Sequence, residues 1–150
     1  MKKIIALSLM ALSFAATAQD PLDLVGDRCA PGDVLFYGQT TNHKKEVLVC
    51  QWDNTVFYRF GKVGQKPDLD LKVPAKTVNN IIGDTETESS ESLLIKNGKI
   101  VYQVGHSEDL ITARGLDYLT VIEYGKGQLA EIILDSNTVV NGIRNNFVKE

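Results

Sequence analysis

Apolar and polar positions alternate most cleanly between residues 46 and 73. Glu46-Val47-Leu48-Val49-Cys50-Gln51-Trp52 and Thr55-Val56-Phe57-Tyr58-Arg59-Phe60-Gly61 are apolar-rich runs separated by Asp53-Asn54, and Asp68-Leu69-Asp70-Leu71-Lys72-Val73 is a third. Strand side chains point to opposite faces in turn, so Val56, Tyr58 and Phe60 share one face, with Phe57 and Arg59 opposite. In the third run Leu69, Leu71 and Val73 face one way and Asp68, Asp70 and Lys72 the other, the pattern of a strand with one wet face. Asp53-Asn54 suits a tight hairpin, since both residues tolerate positive φ.

The same pattern extends through the chain. Residues 19–32 read as an irregular lead-in, 33–40 as a strand around Val34-Leu35-Phe36-Tyr37, and 61–67 as a longer hairpin loop. Pro74 ends the third run, because proline cannot donate to a ladder. Residues 75–90 are the least strand-like part, and 85–91, acidic and without apolar side chains, read as a solvated loop. Asn97-Gly98 between residues 92–96 and 99–104 predicts a type I′ hairpin. Residues 105–115 are polar, with a helical turn expected near 108–113. Two more strands, 117–124 and 128–134, precede a short helix over 139–148, where Val140, Ile143 and Phe147 recur at helical spacing. The expected fold is all-β: an antiparallel barrel or sandwich of about eight short strands with a short C-terminal helix.

Residues 1–18 change the picture of where the chain works. Lys2-Lys3, a short apolar run and Ala16-Thr17-Ala18 form the three parts of a bacterial secretory signal, so residues 19–150 are expected to be a single mature domain, periplasmic or secreted. Removing Lys2 and Lys3 takes the formal charge from −3 to −5, which gives no electrostatic footprint for nucleic acid or for an anionic membrane. No membrane insertion of the mature chain is expected. Cys29 and Cys50 are the only cysteines, and an even pair in an oxidising compartment reads as a disulfide. Closing that loop stabilises by roughly 3 kcal/mol in the chain-entropy model.

Candidate chemistry is sparse. His43 sits in a polar hairpin loop, and His106-Ser107-Glu108-Asp109 are neighbours on one segment, whereas a catalytic triad needs partners converging from separate elements. No His, Cys and carboxylate set has metal-ligand spacing. Gly61-Lys62-Val63-Gly64 and Gly125-Lys126-Gly127 open no helix in a phosphate-binding pattern. The expectation is a protein without catalytic residues, metal or cofactor. Trp52 is expected to cap one end of the core, the other reading being an exposed anchor, and Arg59 to sit on the wet face of its strand.

Leu48-Val49-Cys50-Gln51, Tyr58-Arg59-Phe60-Gly61, Leu69-Asp70-Leu71 and Asn97-Gly98-Lys99-Ile100-Val101-Tyr102 resemble a diffuse group of small secreted bacterial proteins. In size and architecture the chain is more distantly similar to the periplasmic lysozyme inhibitors, disulfide-pinned antiparallel barrels that insert a Ser-Gly-x-x-Tyr loop into the lysozyme cleft. Here the nearest match is Asn97 to Tyr102, with Asn for Ser and the tyrosine one position later. The resemblance implies a protein-binding module, an inhibitor of a lysozyme-like peptidoglycan hydrolase or an immunity-like factor. The alternative is an envelope structural or carrier protein holding a lipid or small ligand. The candidate partner-binding residues are Glu86, Glu88 and Glu91 in the acidic stretch and His106, Glu108 and Asp109 in the polar one, facing a basic protein.

Overall fold

A computed structural model describes residues 19–149. The secretory signal expected over 1–18 lies outside the described residues. Among the described residues ten strands run in chain order: β1 (Asp33–Gln39), β2 (Lys45–Trp52), β3 (Thr55–Lys62), β4 (Leu69–Pro74), β5 (Asn79–Asp84), β6 (Glu88–Asn97), β7 (Ile100–Asp109), β8 (Arg114–Glu123), β9 (Gly127–Ile133) and β10 (Val140–Asn141). They form two five-stranded antiparallel sheets, ordered β10-β1-β2-β3-β4 and β5-β6-β7-β8-β9. The sheets stack as a sandwich rather than closing into a barrel. An isolated bridge between Thr40 and Leu134 joins them at one corner.

The alternation read in the sequence sets the packing. Val56, Tyr58 and Phe60 face the second sheet, with Leu69, Leu71 and Val73 beside them. From the other sheet come Leu93, Ile95, Val104 and Leu119. The rings of Tyr58 and Tyr102 stack between the sheets, centroids 4.8 Å apart. Register slips once in β1, where Val34 pairs with Cys50 and Phe36 with Val49. The intervening Leu35 is extra, so Leu35 and Phe36 both enter the core and Tyr37 turns outward.

The outer face of the first sheet carries a second cluster. There the lead-in forms a helix, α1 (Pro21–Val25), which starts with an Asp20 side-chain cap and proline at its first position. Val25, Cys29, Tyr37, Leu48 and Cys50 pack together, and Cys29 and Cys50 form the expected disulfide across 21 residues, Cα atoms 5.4 Å apart. The C-terminal helix is present but short, α2 (Ile143–Asn146), because 140–141 join the first sheet as β10.

Candidate functional site

β6 and β7 outrun the strands of the first sheet, and their far end carries the polar residues that the sequence places in loops. The acidic stretch is a loop only at 85–87; Glu88 to Glu91 belong to β6. Likewise β7 continues to Asp109, and turn rather than helix spans 110–113. The ladder then sets the two candidate groups opposite one another: Glu88 pairs with Asp109, Ser89 with Glu108 and Glu91 with His106.

Four of the six candidates build a tip. Two turns form it, and the Leu110 amide ties them by donating to the Thr87 carbonyl at 2.9 Å. Each turn satisfies its own backbone. Glu88 N–H donates to Thr85 Oγ1, and the amides of Ile111 and Thr112 donate to Asp109 Oδ1 at 2.9 and 3.0 Å. The Thr112 amide first, and the Ile111 amide next, hold the Asp109 carboxyl below its usual range by stabilising the anion. Glu86, Glu88 and Asp109 are exposed and Glu108 is half-buried. Among them Leu110, Ile111 and Leu116 show 47%, 76% and 38% of their surface to solvent. A shallow concavity lined by Glu88, Ser107, Glu108, Asp109, Ile111 and Arg114 opens between them.

Glu91 and His106 lie behind the tip, on the inner face of the second sheet. Strand parity puts Glu91, His106 and Asp117 in one cross-strand row, one step beyond the apolar row of Leu93, Val104 and Leu119. Asn141 Nδ2 donates to Glu91 Oε1 at 2.8 Å. Glu91 Oε2 has no well-aligned hydrogen-bond donor, yet Arg144 Nε sits 3.3 Å away. We read this contact as an ion pair, because charge attraction tolerates an angle that a hydrogen bond does not. Arg144 also binds Asp84, at 2.6 and 2.8 Å, and draws that carboxyl down to about 2, with Ser89 assisting.

His106 Nδ1 lies 2.9 Å from Asp117 Oδ1, and Ser136 Oγ donates to Asp117 Oδ2 at 2.6 Å. The ring crosses position 115 so closely that a Cβ there would meet His106 Cε1 at 2.8 Å, which is why Gly115 suits the site. Nδ1 faces the buried carboxylate, and the ring shares a shallow cleft with Ser136, Val139 and Asn141. In nucleophilic catalysis the hydroxyl bonds the imidazole and the imidazole bonds the carboxylate. Here Ser136 bonds the carboxylate instead, so the three are joined in an order that orients the ring and does not activate the hydroxyl.

The remaining residues singled out in the sequence fall elsewhere. His43 is exposed and pairs with Asp135 across 2.6 Å, and that contact first, then the Asn137 amide, lowers the Asp135 carboxyl. Trp52 does not cap the core: it is 51% exposed on the outer face of the first sheet, in the row of Thr55 and Pro74. Arg59 lies on that same face, as parity requires. In the hairpin that resembles the inhibitory loop, Gly98 and Lys99 make the turn and Tyr102 packs on Tyr58 between the sheets. Sequence reasoning misses Asp117, Ser136, Asn141 and Arg144. Asp117 has a signal, since it shares the parity of core-facing Leu119 and is thus a carboxylate on the inner face.

No family model, curated protein or solved structure matches this chain.

Proposed function

We propose that this chain is a periplasmic or secreted, non-enzymatic protein-binding module that docks its acidic tip onto a basic protein. A lysozyme-like peptidoglycan hydrolase is the partner class to test first. One observation carries the reading: four carboxylate residues in or beside two tied turns (Glu86, Glu88, Glu108 and Asp109) stand near three exposed apolar side chains, with Arg114 beside them. Apolar anchors within a polar, charged rim are what protein interfaces use, and a carboxylate rim speeds encounter with a basic surface. The disulfide suits an oxidising compartment. Both turns are held by side-chain hydrogen bonds, so little ordering is left for association. The carrier alternative is disfavoured because the inter-sheet space is occupied by the Tyr58–Tyr102 stack and its aliphatic neighbours.

Binding and inhibition of animal-type and bacterial lysozymes, measured at low and moderate salt, test this reading. Glu86, Glu88 and Glu108 changed to Gln with Asp109→Asn should weaken binding by about tenfold or more and flatten its salt dependence. The asparagine side-chain oxygen keeps the acceptor for the Ile111 and Thr112 amides, so the turn survives. Ile111→Ser should weaken binding without changing the salt slope. If no hydrolase binds at low salt, the hydrolase assignment fails. If one binds and neither variant matters, the tip is the wrong surface.

A further inference from the structure

The outer face of the first sheet holds a feature of opposite character to the tip. Trp52, Phe57, Arg59 and Lys72 line a groove of about 260 Å³, walled by Cys29 to Pro31, and none of the described residues lining it is acidic. Arg59 and Lys72 both lie over the Phe57 ring, 5.9 and 5.6 Å from its centre. Cation–π attraction holds the two charges side by side above an aromatic floor, with Arg59 also paired at its outer side to the half-exposed Asp70, 3.4 Å away. The disulfide to Cys50 fixes the wall. Exposed Trp and Arg are the anchors of protein interfaces.

We propose that copies of this chain associate head to tail, the acidic tip of one docking in the aromatic–cationic groove of the next. The proposal rests on reading the tip as a docking element, as above, and names the surface that fits it. The signs of charge are opposite, and each surface has an apolar component. Ile111, 76% exposed, is a knob for the Trp52–Phe57 floor, and Glu86, Glu88 and Glu108 meet Arg59 and Lys72. Tip and groove are different surfaces, so one contact leaves a free tip at one end and a free groove at the other. Two acidic copies repel at long range. At about 0.1 M salt the Debye length is about 10 Å, so that repulsion is screened between molecular centres while charges in contact still attract. A contact this small is transient, visible at about 0.01–1 mM protein.

Sedimentation velocity and light scattering on the mature protein test the proposal. At about 0.1 M salt the wild-type mass should rise with concentration, and at about 0.5 M it should return to that of the monomer. A tip variant (Glu86→Lys, Glu88→Lys, Ile111→Ser) and a groove variant (Arg59→Glu, Lys72→Glu) should each be monomeric alone. Mixed in equal amounts they should form one-to-one pairs, because one retains the groove and the other the tip. Near-UV circular dichroism checks that each is folded; Glu86→Gln with Glu88→Gln, and Trp52→Ser, replace any that is not. A wild type monomeric up to about 1 mM overturns the proposal. So does a folded variant that associates like wild type, or a mixture that stays monomeric. The groove variant retains the tip, so hydrolase binding by it, with no wild-type self-association, sinks the self-docking alone. Self-association without any hydrolase binding sinks only the hydrolase assignment.

Discussion

Glu46 is a carboxylate on the face of β2 that also carries Leu48 and Cys50, so strand parity buries it. Its neighbours compensate. Arg28 Nη1 donates to Oε1 at 2.6 Å, Tyr37 OH donates to Oε2 at 2.8 Å, and Gln39 Nε2 donates to the tyrosine oxygen. Burial raises the Tyr37 pKa, so the phenol remains a donor at neutral pH. Arg28 spends its other donors on the carbonyls of Leu24 and Val25, which ties α1 to the sheet. Arg28→Ala should cost about 1–3 kcal/mol in urea unfolding, and about 1 kcal/mol less in a Glu46→Gln background, where no charge is left unpaired. Equal costs in both backgrounds would refute the coupling. Asp84 behaves differently because it is exposed. Its carboxyl lies at about 2 when folded, against 3.8 ordinarily, through Arg144 and then Ser89. A depressed carboxylate stabilises above its unfolded pKa and loses that contribution as pH falls through the folded one. The stability difference between wild type and Asp84→Asn should therefore be constant above about pH 5 and shrink between about pH 4 and pH 2. A difference unchanged across that window would mean the ion pair contributes nothing.

Elements follow their partners as much as their own residues, and here the sequence reading reaches its limits. The runs from 46 to 73 are legible because every second residue meets the core. β5 does not read as a strand: Asn79-Asn80-Ile81-Ile82-Gly83-Asp84 does not alternate, and it is an exposed edge defined only by pairing with β6. β7 reads as ending at Val104, since the polar residues after it suggest a loop. On the inner face there His106 meets Asp117 and the neighbouring Glu91 meets Asn141 and Arg144, polar partners in place of apolar ones, while the ladders to β6 and β8 continue. The Asn97-Gly98 hairpin forms where the sequence puts it, shifted by one position. Asn97 pairs with Ile100, so Gly98 and Lys99 are the central residues, and Gly98 at φ +61° takes the first position, where type II′ turns want glycine. Gly98→Ala should thus lower stability by about 1 kcal/mol, and Asn97→Ala by less than about half of that. The reverse order in thermal unfolding would restore the type I′ register. The disulfide is legible from two cysteines and a compartment. Replacing Cys29 and Cys50 by Ala should cost roughly 3 kcal/mol, measured against the oxidised protein in urea.

Polarity divides the whole molecule more sharply than it divides any strand. The first sheet is covered over part of its outer face by α1 and its disulfide-linked loop, and both sheets bury their inner faces against one another. The tip projects past this core, and composition alone assigns it to solvated loops. What the composition hides is that the tip's polar side chains bond its own backbone: Thr85 Oγ1 caps one turn, Asp109 Oδ1 caps the other, and Thr87 joins them. A mobile acidic loop and a rigid acidic tip have the same sequence signature, and they differ in what binding costs. An unordered tip would lose freedom on docking, at about 1–2 kcal/mol per backbone residue fixed. The ¹⁵N order parameters of the free protein distinguish the two. Residues 85–88 and 109–113 should lie near the rigid-backbone value of about 0.85, close to those of β6 and β7. Replacing Thr85 with Val keeps the shape but removes the acceptor for the Glu88 amide, and should lower the values at 86–88 while leaving 93–104 unchanged. Wild-type values under about 0.6 at the tip would mean that it orders only on binding. Its exposed apolar side chains would then be those of a flexible segment, and the preformed docking surface proposed for this protein would not exist in the free state.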